Sequence, residues 1–145
     1  MGNPDARSRV YVDMVGDLFH AGHVSLLREA RRHGDWLVVG VLSDDTAASY
    51  KRRPIMTLAE RVAVIESCRY VDEVIEDAPY LVTEAFLDEH GITMVVHGDD
   101  LTPEGEESVY GPAAAAGKLT YIRPTRRIST TQLIQRVIDA ATLRD

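Results

Sequence analysis

The sequence has too little cysteine to rely on disulfides or on a thiolate-rich metal site. Its 145 residues include a single cysteine, Cys68. One thiol cannot form an intramolecular disulfide, and cysteine-poor chains are typical of reducing compartments. We therefore expect an intracellular, cytoplasmic protein.

Long apolar runs and a basic excess are also absent. No stretch approaches the ~20 apolar residues of a membrane-spanning helix, and the beginning, MGNPDARSR, lacks the apolar centre of a signal peptide. The formal net charge of −7 disfavours non-specific binding to nucleic acid. We expect no membrane and no nucleic-acid partner, and any polyanionic ligand must find a local basic patch.

Short runs of β-branched residues alternate with segments of helical periodicity. The predicted strands are RVYVDMV (9–15), WLVVGVL (36–42), YVDEVI (70–75), TMVVHG (93–98) and KLTYI (118–122). Amphipathic helix spacing recurs near 24–30, 58–65, 82–86 and 133–138. The alternation predicts a Rossmann-like α/β fold, a doubly wound parallel sheet in a single domain spanning residues 1–145. The chain stops just after the helical segment LIQRVIDAATLRD, as a domain excised from a longer chain would.

Three smaller features complete the predicted fold. Gly34 and Gly91 precede strands and are interpreted as helix C-terminal stops in the left-handed conformation. The run of alanines at 113–116 is interpreted as helical, with Pro112 in its first turn. The segments SDDTAASYKRRP and GDDLTPEGEE are predicted as loops.

The loop after the first predicted strand is the leading candidate for a ligand site, because ligands of such sheets bind at the carboxyl ends of the strands. It carries neither a P-loop nor a G-x-G-x-x-G pattern and reads VGDLFHAGH instead. His20 ends this loop and His23 begins the next helix. Two imidazoles at a helix N-terminus can bind phosphate oxygens, and Gly22 allows the backbone to approach a ligand closely.

Two other interpretations of the histidine pair are considered. The rings can simply cap the helix and satisfy each other. They can also bind zinc, but His-x-x-His without a third nearby ligand in helical register is poor zinc spacing. The phosphate interpretation is favoured because the pair lies where a strand passes into a helix.

Basic residues follow the second predicted strand. Lys51, Arg52 and Arg53 can supply the counter-charge for a triphosphate, although such a run is also compatible with an ordinary solvated surface. Arg61 and Arg69 come later, and their spacing does not distinguish a functional role from ion pairs with neighbouring glutamates.

The segment RPTRRISTT, residues 123–131, opens the last predicted helix. One of its hydroxyls is explained as a helix N-cap. Three hydroxyls preceded by three arginines exceed what a cap needs, so the segment predicts a second anion site. Two anion sites indicate a nucleoside triphosphate bent between them.

These motifs together resemble the cytidylyltransferases of the H-x-G-H nucleotidyltransferase superfamily. The family patterns G-T-F-D-x-x-H-x-G-H and R-T-x-G-I-S-T-T correspond here to MVGDLFHAGH and PTRRISTT. CRYVDEVIEDAPY and VVHGDD also look like family stretches, so the resemblance covers nearly the whole chain in order.

The resemblance implies a reaction in which an acceptor oxygen attacks the α-phosphorus of CTP and pyrophosphate leaves. His20 and His23 would stabilise the charge developing on the α-phosphate, and Lys51 would bridge triphosphate and acceptor. Mg²⁺ would be held mainly by the CTP phosphates rather than by protein ligands. A homodimer with a contact near RYVDEV is also implied. The implied nucleotide-binding residues are Val15, Gly16, Asp17, Gly22, Asp99, Arg123, Ile128, Ser129 and Thr130.

The resemblance also implies a small phosphate or phosphonate monoester as acceptor, and the departures from the family pattern guide the choice between the two. Met14, Val15 and Gly16 stand where the family has Gly, Thr and an aromatic residue, and Pro124 replaces the family arginine. The chain resembles the cytidylyltransferase domain of bifunctional phosphonate-antibiotic (fosfomycin-type) enzymes, which implies 2-hydroxyethylphosphonate as acceptor. The implied acceptor residues are Met14, Lys51, Tyr80, Tyr110 and Arg126.

Phosphoethanolamine is the alternative acceptor. Tyr80 and Tyr110 alone make a thin aromatic cage for a cation, which favours the phosphonate. Two alternatives to cytidylyl transfer also stay open: an ATP-dependent adenylyltransferase, and a regulatory module that binds nucleotide without turnover.

Overall fold

The computed structural model describes residues 8–123 and 128–143. Five strands alternate with helices along the chain, as the sequence predicts. The strands are β1 (Arg9–Met14), β2 (Trp36–Val41), β3 (Glu73–Glu76), β4 (Met94–Gly98) and β5 (Leu119–Ile122). The helices are α1 (Ala21–Arg31), α2 (Asp44–Tyr50), α3 (Leu58–Glu66), α4 (Glu84–Glu89), α5 (Pro103–Ala115) and α6 (Thr130–Leu143).

All four strand pairings are parallel, in the order β3-β2-β1-β4-β5. The longest register joins β1 to β2, with Val12 opposite Val39. The strand order reverses between β1 and β4, so their carboxyl ends form the topological switch point at which ligands bind in such sheets. The fold is therefore the predicted Rossmann-like α/β fold.

Side chains of the central strand alternate between two apolar layers. Val10 and Val12 pack in one layer with Leu27 of α1 and Ile65 of α3. Tyr11 points the other way, into the layer formed with α4 and α5. Burial on both faces explains why β1 and β2 are almost continuously apolar in sequence.

Two predicted loops contain helices. α2 lies inside SDDTAASYKRRP, where the Ser43 side chain accepts the Thr46 N–H and acidic residues occupy the first turn. α5 begins at Pro103 inside GDDLTPEGEE and is capped by Thr102. Short capped helices without a clear apolar period escape pattern analysis, because their caps resemble turn residues.

Two further predictions are corrected. Pro112 lies inside α5 rather than in the first turn of a helix, since that helix begins nine residues earlier. The same helix contains Tyr110. Gly91 has the predicted left-handed conformation, with φ of 64°, whereas Gly34 is absent from the residues of positive φ. At Gly34 a Cβ atom would lie 2.6 Å from Cγ2 of Val10, so close packing explains that glycine.

No helix in residues 8–123 and 128–143 has the length and apolarity to cross a membrane. The cytoplasmic location stays a prediction.

Candidate functional site

A cavity of about 980 Å³ opens at the carboxyl ends of β1, β2 and β4. The loops after these strands and the start of α6 form its walls, as the switch-point rule predicts. The predicted site residues that line it are Met14, Val15, Gly16, Asp17, His20, Gly22, His23, Lys51, Tyr80, Asp99, Tyr110, Ile128, Ser129 and Thr130. Arg126 lies outside the described residues.

The two histidines cap α1 and each other through one edge of each ring. Nδ1 of His20 accepts the Gly22 N–H at 3.0 Å, and Nδ1 of His23 accepts the His20 N–H at 3.1 Å. For the Nδ1 atoms, the interpretation that the rings cap the helix and satisfy each other is therefore correct. The capping contacts assign the neutral tautomer that carries its proton on Nε2, so each ring keeps an N–H donor on its other edge.

Burial keeps both rings uncharged near neutral pH. Loss of solvent lowers the pKa of His20, and it lowers the pKa of His23 to about 4, with the neighbouring His20 and Lys51 acting in the same direction. A proton on either Nδ1 would also break a capping bond. The pair is thus suited to donate hydrogen bonds to an anion without first losing or gaining a proton.

The start of α6 meets the histidines. Oγ1 of Thr130 donates to the Asp17 carbonyl at 3.1 Å and lies 3.3 Å from Nε2 of His20. Ser129 is the capping hydroxyl, because its Oγ accepts the Gln132 N–H at 3.2 Å. The hydroxyls at 129 and 130 therefore differ in role: one stabilises the helix end, and the other faces the histidine pair.

The basic run after β2 divides in two. Lys51 and Arg52 line the cavity, and Nη1 of Arg52 donates to Thr131 Oγ1 at 3.1 Å. Arg53 instead pairs with Asp45 at 2.7 Å. Two of the three basic residues thus line the cavity, and Arg53 belongs to the solvated surface. Their role as counter-charge for a triphosphate stays a prediction.

Two residues predicted to bind nucleotide act at least partly on the protein itself. The carboxylate of Asp17 accepts the backbone N–H groups of Ile55 at 2.9 Å and Met56 at 3.0 Å. A Cβ atom at Gly22 would lie 2.5 Å from the Ile128 carbonyl oxygen, so its missing side chain admits the backbone that leads into α6. The close backbone approach predicted there is made by the protein's own chain.

Asp99 and Arg123 form an ion pair at the edge of the cavity. Nε of Arg123 donates to Oδ2 of Asp99 at 2.8 Å, and this bond raises the pKa of Arg123. The Arg123 side chain is 75% exposed, and Arg123 is absent from the cavity-lining residues. In this structure the guanidinium group of Arg123 contacts Asp99, and its binding to a nucleotide stays a prediction.

The cavity also holds a carboxylate among tyrosines, and the sequence analysis missed that carboxylate, Asp13. The Tyr110 hydroxyl donates to Oδ1 of Asp13, and the rings of Tyr50 and Tyr80 lie 5.2 Å apart. Nζ of Lys51 lies 5.6 Å from the Tyr50 ring centre. The available signals were a charged residue inside an apolar strand and a tyrosine directly before the predicted lysine.

Asp13 keeps its exposed surface toward the cavity and is otherwise enclosed. Removal from solvent raises the pKa of Asp13, opposed by the Tyr110 hydrogen bond and by the charges of His97 and Lys51. Burial also raises the pKa of Tyr50 to about 12. A carboxylate in such surroundings is stabilised by a cationic ligand.

No group of three or more His, Cys, Asp and Glu side chains suited to a metal ion occurs within the described ranges. A metal ion at this site would need most of its ligands from a bound substrate.

Comparison with known proteins begins with a family model described as cytidylyltransferase-like, which matches residues 16–136. The ethanolamine-phosphate cytidylyltransferase of Dictyostelium discoideum is 42% identical over 131 residues, covering 90% of this chain and 36% of that protein. The Arabidopsis thaliana protein of the same name is 41% identical over 136 residues, covering 90% and 32%. Human choline-phosphate cytidylyltransferase A is 38% identical over 141 residues, covering 94% and 38%. The chain thus spans about a third of the length of these curated relatives.

Among solved structures, the lipopolysaccharide core biosynthesis protein of Thermoplasma volcanium superposes with a TM-score of 0.68 at 27% identity, covering 84% of this chain and 99% of that one. Pantothenate synthetase from Thermus thermophilus superposes with a TM-score of 0.55 at 15% identity, covering 84% and 58%, a likeness of fold alone.

Proposed function

The chain belongs to the cytidylyltransferase-like family, and from that premise we propose that it transfers CMP from CTP to phosphoethanolamine. The observation that carries the choice of acceptor is the Asp13 carboxylate held by Tyr110 at one end of the cavity. Lys51 lies between this end and the histidine pair, where the phosphate of the acceptor would be.

An ammonium group would compensate the negative charge of Asp13. Burial opposes the negative charge of this carboxylate. The ammonium of phosphoethanolamine would supply both a positive charge and N–H donors, and the Tyr50 and Tyr80 rings would flank it. The hydroxyl of 2-hydroxyethylphosphonate would bring no positive charge to Asp13.

This proposal replaces the phosphonate acceptor favoured by the sequence alone. That prediction counted two tyrosines at the acceptor end, and the cavity adds Tyr50 and Asp13 to them. None of the relatives named above acts on a phosphonate by its name, whereas two are ethanolamine-phosphate cytidylyltransferases. Both lines favour the alternative acceptor.

The reaction balances without a protein nucleophile. An oxygen of the acceptor phosphate forms a bond to the α-phosphorus of CTP, and the bond from that phosphorus to the β-phosphate oxygen breaks. The products are the CMP ester and pyrophosphate. Catalysis then consists of positioning and charge stabilisation.

The two histidines would act on the α-phosphate. Their Nε2–H donors bear no charge of their own at neutral pH and gain strength as negative charge grows on the phosphoryl oxygens. Thr130 and the N-terminus of α6 would bind the β- and γ-phosphates, beside Arg52. Lys51 would neutralise charge between triphosphate and acceptor.

We treat Mg²⁺ as part of the nucleotide substrate. The described side chains form no cluster that would hold the ion by themselves, and Mg²⁺ retains waters and needs few protein ligands. The protein's own contribution is the set of N–H, hydroxyl and cationic groups around the triphosphate.

Pyrophosphate release tests this function. The protein is incubated with CTP and Mg²⁺ and with phosphoethanolamine, phosphocholine or 2-hydroxyethylphosphonate, and ATP replaces CTP in parallel reactions. Preference for CTP with phosphoethanolamine supports the proposal. Preference for the phosphonate restores the acceptor predicted from the sequence, and preference for ATP indicates an adenylyltransferase. Binding of CTP without pyrophosphate release from any acceptor would identify a regulatory module.

We also propose a homodimer that uses the edge of the sheet at β3. The segment RYVDEV leads into this edge strand, and Arg69 within it is exposed. Sedimentation of the wild type and of Arg69→Glu tests the contact: a dimer that dissociates in the variant supports it, and a monomeric wild type contradicts it.

A further inference from the structure

Arg61 is a buried cation next to the cavity. It belongs to the first turns of α3, is 0% exposed, and lies outside the set of described residues that line the cavity. Burying a guanidinium is costly unless its donors are paired. The identity of its partners therefore indicates what the charge does.

Every nitrogen of the guanidinium group donates to the protein. Nη1 donates to the carbonyl oxygens of Val15 and Leu42, both at 2.7 Å, and Nε donates to that of Met56 at 3.2 Å. Nη2 forms an ion pair with Asp44. The three carbonyl groups belong to the connections β1–α1, β2–α2 and α2–α3, and Asp44 is the first residue of α2. One side chain thus joins all three connections.

Two of these connections carry groups that the proposed reaction uses. Val15 lies five residues before His20 in the loop that ends at the histidine pair. Asp44 is the first residue of α2, and Lys51 caps the other end of that short helix. Arg61 thus links the loop that carries the histidines to the helix that ends at the lysine.

A second contact also joins the β1–α1 loop to the α2–α3 connection. The Asp17 carboxylate, in the β1–α1 loop, accepts the N–H groups of Ile55 and Met56 in the α2–α3 connection. Arg61 then returns from α3 to the carbonyls of Met56 and Val15. The two loops are therefore tied by one anion and one cation that both bind backbone groups.

We infer that Arg61 is a positioning residue for the proposed transfer, holding the His20–His23 loop and Lys51 at the spacing that triphosphate and acceptor require while touching neither. The inference rests on the proposed function. Transfer depends on alignment of the reacting atoms, and small displacements of positioning groups lower the rate strongly. Lysine cannot replace the planar guanidinium group, because its single ammonium cannot donate at once to carbonyl groups of separate loops.

The test compares Arg61→Lys with Arg31→Lys. Arg31 is the matched control: its Nη1 donates to the Gly34 carbonyl at 2.7 Å and its Nε pairs with Asp72 at 3.0 Å, at the amino end of β2, away from the cavity. We expect Arg61→Lys to lower kcat by about 10- to 100-fold with both KM values changed less than about threefold. Arg31→Lys should leave all three constants near those of the wild type.

Hydrogen exchange without substrate supplies a readout that does not need turnover. Arg61→Lys should accelerate exchange in residues 15–23 and 44–51, and Arg31→Lys should not. Should Arg61→Lys fail to fold, Asp44→Asn removes the charge partner alone, and the same exchange pattern and a smaller loss of kcat are expected.

The outcomes separate the inference from the proposed function. Unchanged kcat in a folded variant, or a loss of kcat equalled by Arg31→Lys, overturns the positioning role. A wild type that releases no pyrophosphate overturns the proposed function instead. In that case, faster exchange confined to residues 15–23 and 44–51 still supports the conclusion that Arg61 holds these segments together. Unchanged exchange refutes that conclusion.

Discussion

Nδ1 of His23 accepts the backbone N–H of His20 at 3.1 Å, so the second histidine of the pair holds the first in place. His20 uses its own Nδ1 on the Gly22 N–H. Each ring therefore has a structural edge at Nδ1 and a donor edge at Nε2, which in His20 faces Thr130. These two contributions can be separated by substitution.

His20→Asn should separate them. The Asn side chain retains an oxygen acceptor for the helix N-cap but has no donor at the place of Nε2. We expect kcat to fall by about 10²- to 10³-fold, since donors to developing charge contribute at this level. Stability should stay near that of the wild type, whereas His20→Ala should lose about 1 kcal/mol in addition to activity. Thermal unfolding and pyrophosphate release measure both; near-normal turnover of His20→Asn would remove His20 from the catalytic groups.

The pKa of His23 predicts a pH dependence of stability. Because burial lowers the pKa from 6.5 to about 4, the unfolded chain binds the proton more tightly than the folded one. The stabilisation due to this histidine is complete above pH 6.5 and is lost as the pH falls toward 4, up to about 3 kcal/mol. Urea unfolding of wild type and His23→Asn across this range isolates the effect, because the other titrating groups are shared. Parallel stability curves for the two proteins would contradict the lowered pKa.

Asp13→Asn should weaken the use of an ammonium acceptor and stabilise the free protein. The amide keeps an acceptor for the Tyr110 hydroxyl but cannot compensate a cation. We expect kcat/KM for phosphoethanolamine to fall by about 10- to 100-fold, with a much smaller change for 2-hydroxyethylphosphonate. The free energy of unfolding at pH 7 should rise, because burial raises the pKa of Asp13 and opposes its negative charge in the free protein. Equal losses of kcat/KM with both acceptors would show that Asp13 does not recognise the ammonium group.

Tyr11→Phe should stabilise the protein. Tyr11 is 0% exposed, and its hydroxyl has no hydrogen-bond partner within the described residues. Removing an unsatisfied buried hydroxyl should add about 1 kcal/mol to the free energy of unfolding. Tyr110→Phe is the matched control, because it deletes a hydroxyl that does have a partner, Asp13. Calorimetry on both variants tests the contrast, and destabilisation by Tyr11→Phe would indicate a water partner for that oxygen.

The sheet was predictable because it depends on local pattern. The run WLVVGVL is strongly apolar over strand length, and β2 extends over Trp36–Val41 within it. α2 was missed since its seven residues, DDTAASY, show no apolar period and are held by a Ser43 cap and by the Asp44–Arg61 ion pair. A helix stabilised mainly by a distant arginine leaves little trace in its own sequence.

The sequence by itself determined the fold class, the family and the place of the histidine pair. Spacing along one loop brings His20 and His23 together, because residues three apart are neighbours at a helix start. Only the tertiary structure decided which groups share the cavity across the sheet. Asp13 and Tyr110 are 97 residues apart and meet only where β1 and α5 pack. Arg61 joins connections up to 46 residues away. Such contacts arise from packing of separate elements, and no local periodicity encodes them.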